Sequence, residues 1–492
     1  MHMPYVRNQA TLQAKSYING QWVEGEGEII EIISPVNGEL FGTVRACSIE
    51  QVEAAVESAK KAQKRWARMA LLDRLDILRR AVQIWKAKGE EMARYITLEM
   101  GKTIREAREE VYEMGIPIFE YADGEIQRFK GATLLSTSQR TNSKKIHITH
   151  APIGVMGIIT PWNFPVSISC ETIPFALVAG NTVVYKPSEN TPFSTGLWVE
   201  ILAEAGLPPG VINLVHGKAQ VGSTIVQHKD VRAIAFTGST AVGERIVKEA
   251  GLKRTLLEMG GNGPLIVMED ANIDEAVEAA ISGCFYNAGQ VCTASERILV
   301  HESVQDEFVA KLVERTKKMR LGNPLDEITD MGPLSSAAIV DKMNAHIEDA
   351  VAKGAKVVYG GTHEGLYYKP TILINVSQDT LIGREETFGP IAPIIPFSTK
   401  EEAVEIANDT QYGLTSAVFT SGLETAWYMS EHLEHGMVHI NEGTNYWELL
   451  APFGGVKNSG NGGRVLGSYV LEDVTEVKLI IFEPTKVKRN NQ

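Results

Sequence analysis

From residue 154 onward the chain alternates short apolar runs with longer helical stretches, a rhythm that few folds accept. Runs at 154–159, 182–186, 211–215, 233–237, 255–258 and 264–268 read as strands. Patterns at 166–178, 195–205, 219–227 and 241–250 read as the helices between them. Helices long enough to serve as crossovers predict an α/β class with a parallel, doubly wound sheet. A second α/β series follows through "DEAVEAAISGCFYNAGQ", "RILVH", "DEFVAKLVERTKKM", "AKVVYGG" and "SAVFT". With 492 residues the chain exceeds one ordinary hydrophobic core, so two or three domains are expected.

Ahead of that series, apolar residues recur at helical spacing over 49–68, 71–100 and 103–129, as in Leu75, Leu78, Ala81, Val82 and Trp85. "KKIHITHAP" alternates as a strand over 144–150, and "GATLLSTSQRTNS" before it suits a hairpin partner. With the tail strand "TEVKLIIFE" these stretches form a small β arm outside the main body. Net charge is -13, from 48 basic and 61 acidic side chains, which argues against non-specific nucleic-acid binding. Lys486, Lys488 and Arg489 read as a solvated tail. No apolar run approaches the roughly 20 residues of a membrane helix, and the start lacks a signal-peptide core. Four cysteines without metal-like spacing suit a reducing compartment, so a cytoplasmic protein is expected.

The chemistry concentrates at a few loops. "NAGQVCTASER" sets Cys292 among Gly289, Gln290, Thr293, Ala294 and Ser295, although unpaired cysteines usually lie in apolar cores. It is either a small residue filling a helix-to-strand junction or a nucleophile. "EMGKT" lacks the earlier glycine of a phosphate loop, and no GxGxxG follows a strand. "AIAFTGSTAVGERI" gives a strand, then Gly238 and Ser239, then a helix opening with Gly243. Such a turn can present backbone N–H groups to a pyrophosphate, or merely connect two elements. "TPWNFP" puts Asn163 beyond the first strand, where α/β sheets bind ligands; it is an oxyanion donor or a turn residue. Glu258 of "LEMGGN" either activates water or is solvated. Lys186 and Glu189 of "YKPSENTP" suit a ribose, or a surface ion pair. "EHLEH" over 431–435 reads as a solvated helix face, and no metal is expected.

Taken in order, "TPWNFP", "KPSENTP", "FTGSTAVG", "LEMGGN", "NAGQVC", "EETFGP" and "PFGGVKNSG" resemble the aldehyde dehydrogenase superfamily over residues 17–481. The resemblance implies that Cys292 attacks the aldehyde carbon while Asn163 and the Cys292 backbone N–H stabilise the oxygen. Hydride transfer to a nicotinamide would leave a thioester, released by water that Glu258 activates. It implies a cofactor site of Lys186 and Glu189 at the adenosine ribose, Gly238, Ser239 and Gly243 at the pyrophosphate, and Glu386 and Phe388 at the nicotinamide riboside. Trp162 joins that set. Glu189 favours NAD over NADP, because a carboxylate repels a 2'-phosphate. The implied substrate pocket contains Phe164, Ile168, Glu171 and Trp447. Glu171 stands where relatives acting on carboxylate-bearing aldehydes often have arginine. It argues for a neutral, hydroxylated, amine-bearing or aromatic aldehyde, unless it pairs with a base outside the pocket.

The architecture implied is a Rossmann-like NAD-binding domain over 1–129 and 151–261, a catalytic domain over 262–470, and an oligomerisation arm over 130–150 and 471–492. The family usually forms homodimers or homotetramers. A CoA-acylating enzyme and an inactive binding protein with this fold are the alternatives. Cys47, Cys170 and Cys284 are expected to be structural.

Overall fold

The computed structural model describes residues 5–8 and 11–483. Strands such as Val155–Ile159 and Thr182–Lys186 are buried at every position. Parallel strands covered by helices on both faces require this. Five of them lie side by side in the order Arg254–Glu258, Val231–Thr237, Val155–Ile159, Thr182–Lys186 and Ile212–Leu214, all parallel. A hairpin of Ser16–Ile18 and Gln21–Val23 completes this sheet at one edge. The winding reverses between Val155–Ile159 and Val231–Thr237, so the loops leaving these two strands diverge and open a crevice. Those loops carry Asn163 and the Gly238–Ser239 pair.

The second sheet has the order Lys356–Tyr359, Thr371–Ile374, Ile391–Phe397, Ser295–His301, Gly263–Val267, Thr415–Phe419 and Met437–Ile440. All are parallel except the first. The chain passes from one sheet to the other through residues 259–262 alone. The carboxyl end of the first sheet therefore faces the amino end of the second.

Helices cover the sheets largely as the periodicity predicts, at Ile49–Arg68 and Leu71–Met100. Ser48 and Gln51 close the first with a capping box, and Gly101 ends the second in the left-handed region at φ 91°. The single helix expected over 103–129 is divided. Ile104–Glu109 and Ile116–Arg128 flank a π-helical turn, Glu110–Gly115. Pro117 has no N–H to continue the ladder. At Gly115 a side chain would come within 2.8 Å of Trp85, so the wide turn is packed closely as well.

The arm is a three-stranded antiparallel sheet of Ala132–Leu134, Lys145–Pro152 and Thr475–Phe482. Its last strand is an edge that exposes Val477, Leu479, Ile481 and Phe482. Lys486, Lys488 and Arg489 lie outside the described residues. A four-stranded sheet of Tyr5–Asn8, Thr11–Ala14, Leu40–Arg45 and Ile29–Ile33 has no counterpart in the sequence reading. Its strands are too short for alternation to stand out. The helix Leu423–His432 ends inside "EHLEH", so Glu434 and His435 lie beyond it and the expected continuous helix face is not formed. No helix among the described residues is long and apolar enough to cross a membrane.

Trp85 anchors the helical layer beneath the π-turn. It is 1% exposed and meets Phe119 and Trp198 edge-on, with ring centroids 6.1 and 6.4 Å away. Trp85→Ala should cost about 3–5 kcal/mol, read as a lower urea midpoint against the parent.

Candidate active site

A cavity of about 330 Å³ opens where the two sheets meet. Of the residues that the resemblance assigns to catalysis, cofactor and substrate, all but Lys186, Glu189 and Gly243 line it. Lys186 ends the strand beside Val155–Ile159, at the same carboxyl edge, and Glu189 follows three residues later. Gly243 packs under the crossing instead, where a side chain would collide with Met259.

Cys292 is partly exposed, whereas Cys47, Cys170 and Cys284 are buried. It follows an unusual backbone: Asn287, Ala288 and Gly289 take φ of 50°, 53° and 72° in succession. For alanine that conformation carries a steric penalty of about 1–2 kcal/mol, so surrounding contacts must hold it. Two contacts do. Glu106 accepts the Asn287 N–H at 2.7 Å, and the Asn287 side-chain amide donates to the Asn163 and Gln290 carbonyls at 3.3 and 3.2 Å. Asn163, 3% exposed, donates one amide proton to the Gln290 carbonyl at 3.0 Å. Its second amide proton remains free for a ligand oxygen.

Glu258 ends its strand with a side chain that is 3% exposed and makes no hydrogen bond of ordinary geometry. Burial pushes its carboxyl well up, and the nearby Glu171 adds to that. Glu171 lies in the cavity rather than paired with a base, and burial raises it to about 8. Burial likewise pushes the Cys292 thiol up, with Glu171, Glu386 and Glu258 all disfavouring a thiolate. Acids near a sulfur act in the opposite direction to the cations that lower a thiol's pKa.

Cofactor-binding capacity can be read from the donors present. Ser239 precedes the helix Thr240–Ala250 without capping it by its side chain, which leaves first-turn N–H groups available to an anion. Lys186 is buried and stands 3.5 Å from Glu189, an ammonium and a carboxylate suited to ribose hydroxyls. Glu386, raised to about 7 by burial and by Glu296, accepts the Gly261 N–H at 2.9 Å. Phe388 meets Trp162 edge-on at 5.7 Å. These residues fit a dinucleotide. Among the described residues no group of three or more His, Cys, Asp or Glu side chains gathers to hold a metal.

Several lining residues went unmarked in the sequence. Lys342 enters from the helix Ala337–Ala352, and Met114 from the π-turn. Tyr286 stacks on Phe164 with centroids 6.3 Å apart. Glu296 accepts the N–H groups of Thr387 and Phe388 at 2.9 and 2.8 Å and so fixes the loop bearing Phe388. Lys342, Met114 and Tyr286 belong to no short motif, and only the fold brings them to the cavity; Glu296 lies within "NAGQVCTASER" but behind the cavity wall.

Residues 22–480 match the family model described as "Aldehyde dehydrogenase family". The mitochondrial succinate-semialdehyde dehydrogenase of Oryza sativa subsp. japonica is 38% identical, over 97% of this chain and 91% of that protein. A succinate-semialdehyde dehydrogenase of Escherichia coli (strain K12), named for NADP(+), is also 38% identical, over 94% of this chain and 96% of its own. The crystal structure of a betaine aldehyde dehydrogenase from Staphylococcus aureus in complex with NAD+ superposes with a TM-score of 0.92 at 35% identity. It covers 97% of this chain and 96% of that one. With full-length relatives above a third identity and the same fold throughout, the chain belongs to the aldehyde dehydrogenase family of oxidoreductases.

Proposed function

We propose that this enzyme oxidises a neutral, hydroxylated or ammonium-bearing aldehyde to the free carboxylic acid, with NAD as the cofactor. The observation that carries the hydrolytic reading is Glu258, a buried carboxyl without an ordinary hydrogen bond in the same cavity as Cys292 and Asn163. In this scheme the Cys292 thiol loses its proton to solvent and its sulfur bonds to the aldehyde carbon, whose C=O electron pair moves to the oxygen, forming the anion of a thiohemiacetal. The free Asn163 amide proton and the Cys292 backbone N–H hold the oxygen as it gains charge. NAD would be held by Lys186, Glu189, Gly238, Ser239, Glu386 and Phe388, with Trp162 alongside, and when bound would supply the hydride acceptor that turns the adduct on Cys292 into a thioester. Glu258 then takes a proton from the water that attacks this thioester, and the sulfur leaves as the acid forms. A base with a raised pKa is well matched to that task.

The names of the relatives above point to succinate semialdehyde, a substrate with its own carboxylate. Glu171 supports a different tail. It lines an apolar cavity with Phe164, Ile168 and Trp447, where a second carboxylate would be desolvated beside it. A hydroxyl or an ammonium group would instead satisfy it, and an ammonium would also find aromatic faces. Glu189 supports NAD over NADP, although the Escherichia coli relative is named for NADP(+). Assembly belongs to the same proposal. The exposed apolar edge Thr475–Phe482 suits pairing with a second copy into a homodimer or homotetramer.

Three measurements bear on this reading. In Glu258→Gln, a stoichiometric burst of NADH should precede steady turnover slowed about 10²–10⁴-fold; normal acid release removes Glu258 from the mechanism. A kinetic screen should give higher kcat/KM for hydroxylated or amino aldehydes than for succinic semialdehyde, higher with NAD than NADP, and no acyl-CoA when free CoA is added. Preference for succinic semialdehyde overturns the role given to Glu171. Iodoacetamide should label Cys292 slowly at neutral pH and faster as pH rises, because the thiol is raised. Glu171→Gln should speed labelling several-fold at pH 9, where Glu171 is ionised and opposes the thiolate. It should change little at pH 6.5, where Glu171 is protonated.

A further inference from the structure

Lys102, the lysine of "EMGKT" that fits no phosphate loop, forms a buried ion pair whose hydrogen bonds end at the active site. Its Nζ is 2.6 Å from Glu110 Oε2, and neither side chain is exposed. Buried pairs seldom stabilise a fold more than apolar side chains of equal volume would, so stability alone is a poor account of this one. The other oxygen, Glu110 Oε1, accepts the backbone N–H groups of Val166 and Ser167 at 2.9 and 3.2 Å. These are opening donors of the helix Ser167–Val178, which has no side-chain cap at its N-cap position. Asn163 and Phe164 stand immediately before that helix, and Lys102 Nζ lies 3.5 Å from the centre of the Phe164 ring.

The same short segment reaches the other side of the site. Glu106 holds the Asn287 N–H, and Glu109 accepts the Tyr286 hydroxyl at 3.0 Å. Segment 102–110 therefore grips both the loop bearing Asn163 and the loop leading to Cys292.

We propose that the Lys102–Glu110 pair is a positioning device that fixes the start of the Ser167–Val178 helix and thereby aims the Asn163 amide at the oxygen of the Cys292 adduct. A carboxylate at a helix start is held by charge-assisted bonds, and the lysine balances its charge where no water can. Small misplacements of an oxyanion donor cost large factors in rate, which gives the pair its functional weight. The proposal rests on the reading of Asn163 as that donor.

The test is single-turnover NADH formation in the full-length enzyme carrying Lys102→Met and Glu110→Gln together, which removes both charges of the pair. NADH formation should slow about 10- to 100-fold, with NAD affinity within about twofold of the parent and aldehyde KM within about threefold. Lys102→Arg, which keeps the pair, should retain most activity. On an Asn163→Ala background, itself slowed about 10²–10³-fold, the paired change should cost less than about threefold, because the donor it aims is gone. Parent-like NADH formation in the paired variant overturns the proposal, and so does its full loss repeated without Asn163. If Asn163→Ala is itself as fast as the parent, the reading of Asn163 falls and this proposal with it. Should the paired variant fail to accumulate, Glu110→Asp keeps the charge but shortens the reach to Val166 and Ser167. A parent-like rate in that variant overturns the proposal equally.

Discussion

Four residues, 259–262, carry the chain from the last strand of one parallel sheet to the first strand of the next, and the site is built around that crossing. So short a link forces the carboxyl edge of the first sheet against the amino edge of the second. Glu258 stands on one bank and the loop of Cys292 on the other. The link is passable because of its glycines: a side chain at Gly260 would lie 2.8 Å from the Glu386 carboxylate, and one at Gly261 would collide with the carbonyl of Cys292. The far end of the crossing is pinned by Arg297. Buried completely, it donates to the carbonyl of Asn262 at 3.1 Å and to that of Ala407 at 2.8 Å. An arginine spending its donors on backbone carbonyls deep in a domain is a means of fixing geometry, because removing it would orphan each of them.

The electrostatics of the cavity follow from the same closeness. Three carboxyl groups converge on one sulfur, and burial disfavours charge on all of them. A resting thiol and incomplete ionisation of the acids are the low-energy arrangement of such a cluster, since like charges in a dry site cannot all ionise. This arrangement separates stability from reactivity. In the proposed mechanism, stabilisation of charge therefore falls on the adduct's oxygen, through Asn163 and the backbone, rather than on the sulfur. It also makes the cavity selective, because any ligand entering it is weighed against acids already present.

The supporting shell is polar where the reacting shell is not. Glu106 and Glu110 each commit one carboxylate oxygen, and Glu296 both, to backbone N–H groups that shape a loop of the site. Glu106 and Glu110 come from one short segment and Glu296 from a distant strand, and each holds backbone in a conformation that it would not choose alone: left-handed Asn287, the uncapped helix start at Ser167, and Phe388 at φ 61°. Strain of this kind persists only where such contacts over-determine it.

The class of fold and the strand positions around the crevice could be read from the chain because each is local, and the motifs that resemble the family's include Cys292, Asn163 and Glu258, which line one cavity. Apolar strands announce themselves by composition, and the loop residues sit in short motifs at strand ends. The sequence could not tell whether Glu171 faced the cavity or a base beside it, and it missed Lys342 and Tyr286, since these arrive from a helix and a turn with no marking pattern. It also read 103–129 as one helix, because a π-turn alters the backbone spacing by a single residue while leaving the apolar periodicity nearly intact. The order of strands, and therefore the adjacency of Glu258 and Cys292, belongs to the tertiary structure alone. Periodicity reports which face of an element is apolar, but only packing in three dimensions decides which elements share that face.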